Sequence, residues 1–64
     1  MGLREMRLKA GLQVKDVMTA LGVSDAAVYY WEIGANKPSA ENLIKLADLY
    51  HCTIDELIRK KEGD

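Results

Sequence analysis

The sequence is short of the residues that most chemistry needs. It has one cysteine, Cys52, and one histidine, His51. A lone cysteine forms no internal disulfide, and a secreted chain this small would ordinarily need several. Beside apolar neighbours, Cys52 reads as a small core residue. One His next to one Cys supplies neither the ligand set of a metal site nor a nucleophile with an oriented base. There is no glycine-rich phosphate loop and no carboxylate pair in an evident cleft. The sequence therefore speaks against an enzyme and implies no metal and no cofactor.

Long apolar runs are also lacking. No stretch approaches the ~20 consecutive apolar residues that cross a bilayer, and the N-terminal residues carry no signal-peptide apolar segment. The expected location is cytoplasmic, with no membrane partner. No segment alternates with period two long enough for a strand, and there are no repeats or low-complexity tracts. Excess positive charge is missing too. Nine basic residues face ten acidic ones, a formal net charge of −1. That counts against a strongly basic nucleic-acid-binding surface.

What is present is a globular profile, 48% hydrophobic and 30% charged, rather than a disordered one. The 64 residues are expected to form one domain, 1–64, since that length leaves no room for a second regulatory or catalytic one. Its core is expected to be marginal, since a chain of this size buries only about 60% of its unfolded surface.

Gly11, Gly22 and Gly34 each follow an apolar-periodic stretch, as helix-terminating glycines do. The pattern predicts five short helices. The first runs from Leu3 to Ala10, with Leu3, Met6 and Ala10 on one face. The second runs from Val14 to Leu21, with Val14, Val17, Met18 and Leu21 inward. The third follows Ser24 as N-cap, carries Ala27, Val28 and Trp31 with Ala26 as a further candidate, and stops at Gly34. Pro38 makes the residues before it a loop. Ser39 caps the fourth helix, whose buried face is Leu43, Ile44, Leu46, Ala47 and Tyr50. Thr53 to Glu56 is a capping box that opens the fifth, with Ile54, Leu57 and Ile58 as its stripe. The charged end, Arg59 to Asp64, is expected to fray.

The informative block is Gln13 to Gly34. Two short helices are separated by Leu21-Gly22-Val23-Ser24, a turn too tight for antiparallel packing. Gly22 suits a positive φ, Val23 a core plug, and Ser24 the start of the second helix. That helix can then lie in a major groove with its first turn toward base edges.

Gly11-Leu12, Leu21-Gly22-Val23-Ser24, Val28, Trp31-Glu32-Ile33-Gly34, Pro38-Ser39 and Thr53-Ile54-Asp55-Glu56-Leu57 together resemble the XRE-type, or Cro/phage-repressor-type, helix-turn-helix family. The match covers almost the whole chain in the family's order and spacing. It implies an all-α, five-helix, lambda-repressor-like DNA-binding domain. It also implies a sequence-specific regulator of transcription, a repressor, that reads double-stranded DNA with helix 3.

Carried over residue by residue, the resemblance places Gln13, Val14 and Lys15 against a phosphate strand, their backbone N–H groups at the positive helix end. Ser24, Asp25, Ala26, Tyr29 and Tyr30 become the exposed face of the recognition helix. Asn36 and Lys37 touch the second strand from the loop. Tyr30 is expected to be the more exposed tyrosine; the competing reading is that one of the two packs in the core. Arg7 and Glu32 become a scaffold salt bridge, the alternative being two solvated surface charges. Dimerisation through the last helices makes Leu49, Tyr50, Leu57 and Ile58 candidate interface residues, unless they fill the monomer's own core. A two-fold dimer would read half-sites about 34 Å apart.

The chain departs from the family pattern at four places. Met18 stands where a small residue is common, which implies a wider crossing of helices 2 and 3. Val14 stands where a polar side chain is common. Gln13 with Asp16 replaces a stronger Ser/Thr–Glu cap, and helix 1 starts late. Asp25, the paired tyrosines and the acidic balance also suit a rival reading. In it the same fold is an antitoxin-like or regulator-binding module that binds a protein partner.

Overall fold

The computed structural model describes residues 2–58. Five α-helices follow one another: α1 (Leu3–Lys9), α2 (Val14–Leu21), α3 (Asp25–Ile33), α4 (Ala40–Leu49) and α5 (Ile54–Ile58). No strand occurs among the described residues. The expected fraying of Arg59 to Asp64 lies outside them.

Each helix is short because its ends are specified locally. After α1, the Leu12 N–H donates to the Arg7 carbonyl and the Gly11 N–H to that of Leu8 (3.1 and 3.0 Å). After α3, the Ala35 N–H reaches the Tyr30 carbonyl at 2.9 Å. These backward bonds satisfy carbonyls that a helix end leaves unpaired. The starts are capped as expected at Ser24, Ser39 and Thr53, whose hydroxyl oxygens accept from Ala27, Asn42 and Glu56 N–H (3.2, 3.2 and 3.1 Å).

The core is Leu3, Val17, Val28, Trp31, Leu46, Ala47, Tyr50 and Leu57. It draws on all five helices, so none is stable without the others. α2 packs on α3 and α4, while α1 packs on α3 and α5. The chain's start is pinned to its end: the Gly2 N–H donates to the Leu57 carbonyl at 2.9 Å. A Cβ at Gly2 would meet the Glu56 carbonyl oxygen at 3.1 Å, so the approach there suits a residue without a side chain.

Four apolar expectations need correction. Ile44, expected in the buried face of α4, is 60% exposed. Leu43, Leu46, Ala47 and Tyr50 lie within one narrow stripe, and Ile44 sits roughly a hundred degrees around from Leu43 on the uncovered flank. Ile54 and Ile58 are likewise exposed beside the fully buried Leu57. α5 meets α4 and α1 on one side only, which accommodates a single inward position per turn. Ala26, the further inward candidate of α3, is exposed.

Candidate nucleic-acid interface

The angle between α2 and α3 is set by three residues. Gly22 adopts φ 69, ψ 37, a left-handed conformation that a side chain would strain. The N–H groups of Gly22 and Val23 both donate to the Met18 carbonyl, at 2.8 and 3.2 Å. Val23 is partly buried against the core, and Ser24 starts the next helix. Met18, the expected spacer between the two helices, packs partly buried against the same core.

α3 is held by one face and offers the other. Val28 and Trp31 are buried, whereas Asp25, Ala26, Tyr29, Tyr30 and Ile33 are exposed. Those five follow the spacing i, i+1, i+4, i+5, i+8, a single stripe along the helix. Tyr29 is the more exposed of the tyrosines, 60% against 44%, which reverses the expected order. Neither packs in the core; their ring centroids stand 6.4 Å apart at a 52° tilt. The reason is positional: Val28 and Trp31 already occupy the inward face, and both tyrosines fall between them on the outer side. The Asp25 carboxylate accepts from the Ala26 N–H at 2.7 Å, where the positive helix end favours it.

The flanking positions divide by exposure. Gln13 and Lys15 are exposed at the start of α2. Asp16 reaches back to accept from the Gln13 N–H at 2.8 Å. Val14 is partly buried against the core, so its side chain faces the protein and its backbone alone remains outward. Asn36 and Lys37 are exposed in the loop after α3, which Pro38 anchors by its own burial.

Arg7 and Glu32 pair as expected. The guanidinium grips the carboxylate with two bonds, Nε to Oε2 at 2.6 Å and Nη2 to Oε1 at 3.2 Å. Its Nη1 donates to the Leu12 carbonyl at 3.0 Å. The side chains are only 9% and 6% exposed, so this is a buried clasp joining α1, the α1–α2 loop and the end of α3. The hydrogen bond to Glu32 pushes the Arg7 pKa up against the opposing effect of burial, so the guanidinium stays charged. Nearby, burial pushes the Tyr50 phenol up to about 12, with the Glu32 charge adding to the rise. Burial also raises the Cys52 thiol, which leaves it poorly reactive.

Of the expected dimer residues, Tyr50 and Leu57 belong to the monomer's own core and have no side chain to offer a second copy. Leu49 is partly buried and Ile58 is exposed. The large apolar residues whose exposure sequence reasoning missed are Leu8 on α1, Ile33 on α3, Ile44 on α4 and Ile54 on α5. Ile33 was legible as the i+4 continuation of Tyr29.

Two relatives cover nearly all of the chain. A stretch of 60 residues, 94% of this chain, is 37% identical to the HTH-type transcriptional regulator DdrOP3 of Deinococcus deserti and covers 46% of it. A stretch of the same length is 33% identical to the HTH-type transcriptional regulator AnsR of Bacillus subtilis, covering 52% of that protein. The chain thus spans about half the length of these relatives. No solved structure matches it. No described helix is long and apolar enough to cross a membrane. The family model described as Helix-turn-helix matches residues 3–57, the span that holds all five helices and the Gly22 turn, and the chain therefore belongs to the XRE-type helix-turn-helix family.

Proposed function

We propose that this chain binds double-stranded DNA sequence-specifically and regulates transcription as a repressor, with α3 in the major groove. The observation that carries the reading is the outward stripe of α3. A helix locked on one side by Val28 and Trp31, and set off from α2 by the Gly22 turn, leaves Asp25, Ala26, Tyr29 and Tyr30 open to solvent. The backbone start of α2, with Gln13 and Lys15, and the loop residues Asn36 and Lys37 supply phosphate contacts that fix register.

So few cations predict weak binding by one domain. Neutralising about two to four phosphates gives a shallow salt dependence and modest affinity. A homodimer doubles those contacts. With Tyr50 and Leu57 buried, Leu49 and Ile58 are what the expected dimer face retains, and the exposed Ile54 lies one turn before Ile58 on α5. Binding by two copies reads an inverted repeat.

Selection from a randomised duplex pool at low and moderate salt tests this reading. Enrichment of an inverted repeat is the expected result, and Lys37→Glu is expected to abolish the binding. Unenriched binding that vanishes with salt contradicts it. The exposed Tyr29, Tyr30 and Ile33 would then favour the protein-partner reading, because aromatic faces suit protein interfaces.

A further inference from the structure

Resting on the placement of α3 in a major groove, we propose that this chain selects thymine-rich half-sites, reading the C5-methyl groups of thymine through Ala26, Tyr29 and Tyr30. The α3 segment DAAVYYWEI contains no Lys, Arg, Asn or Gln. Guanine is read bidentately by Arg or Lys at O6 and N7, and adenine by Asn or Gln at N6 and N7. α3 can make neither contact. Its hydroxyls donate singly to acceptors that several bases share, so they position without specifying.

What α3 does present is carbon. Ala26 is a methyl on the exposed first turn, and Tyr29 shows most of its ring to solvent. Apolar contact is the way the thymine methyl is recognised in the major groove, and the methyl is absent from cytosine, adenine and guanine. From Ala26 to Tyr30 the helix rises about 6 Å, close to two base-pair steps of ~3.4 Å. Two thymines per half-site, separated by one base pair, therefore match the length of the carbon-rich stripe.

The test uses one selected duplex made in two forms, with thymine or with deoxyuridine throughout. The two forms share every phosphate and every hydrogen-bonding group and differ in the methyl alone. Removing one recognised methyl weakens binding about fourfold, equivalent to ~0.8 kcal/mol for a buried CH2. Two such thymines give a weakening on the order of tenfold per half-site, with an unchanged salt slope. Tyr29→Ala and Ala26→Gly change exposed positions, and each should reduce the difference between the two forms. Circular dichroism checks that both variants fold. Equal binding of the two forms overturns thymine recognition and leaves the DNA reading standing. Failure of every duplex in the pool to bind above the generic level overturns both.

Discussion

Two turns in this chain share one chemistry and lead to different surfaces. Between α2 and α3 the run is Gly22-Val23-Ser24; between α4 and α5 it is His51-Cys52-Thr53. Each begins with a left-handed residue, at φ 69 for Gly22 and φ 56 for His51. Each continues with a half-buried residue on the core, Val23 or Cys52, whose N–H closes the helix before it, at Met18 or Ala47 (3.2 and 2.9 Å). Each ends with a hydroxyl that caps the helix after it. Turn chemistry therefore sets how the next helix leaves the core, and what that helix keeps outside decides its use. α3 keeps a carbon-rich stripe outside. α5 keeps Ile54 and Ile58 outside, beside Asp55 and Glu56 in its first turn. On the proposed function, the first of these surfaces meets DNA and the second meets a copy of the chain.

The first unit depends on the Arg7–Glu32 clasp for its far end, and the second does not. Removing one partner of a buried pair leaves an uncompensated charge, so Glu32→Gln is expected to lower the unfolding free energy by about 3 kcal/mol in denaturant titration. Replacing both partners, Arg7→Met with Glu32→Leu, should recover most of that stability. Equal destabilisation in the single and double variants would contradict the buried pairing.

The left-handed position comes next. A Cβ at Gly22 would meet no atom within 4 Å, so the cost of Gly22→Ala is one of backbone alone, about 1–2 kcal/mol. Ser24→Ala and Thr53→Ala each remove a hydroxyl cap at about 1 kcal/mol. Of these, Ser24→Ala should also weaken DNA binding, and Thr53→Ala should leave the intrinsic affinity of a folded domain unchanged. His51→Gly runs the other way: it relieves the strain of a left-handed residue with a side chain but adds freedom to the unfolded chain, for a net gain of about 0.5 kcal/mol. A rise in melting temperature checks it. The last effect appears only at alkaline pH. With its phenol pushed up to about 12 from an ordinary 10.0, Tyr50 binds its proton more tightly folded than unfolded. That contribution is fully present below the ordinary value of 10.0 and is lost as pH rises toward about 12, so Tyr50→Phe should flatten stability across that window.

Most of the helix plan was written in local signals. Glycines mark three helix ends, and Ser24, Ser39 and Thr53 mark starts, because cap and turn energies depend on residues close in sequence. The end of α4 was harder to read, since His51 performs a glycine's task. The Arg7–Glu32 pair, 25 residues apart, was legible through the resemblance and not through spacing. The exposures of Ile44, Ile54 and Ile58, and the order of Tyr29 and Tyr30, were not legible, because helical periodicity gives the direction of a side chain without saying how much of the helix its neighbours cover.

The contrast between the two units is tested most directly by amide NMR of the labelled protein titrated with its selected duplex. The account predicts shifts at residues 13–15, 24–30 and 36–37, with those around Ile54 and Ile58 following protein concentration instead of DNA. DNA-dependent shifts confined to α4 and α5, with the outward stripe of α3 unmoved, would contradict it.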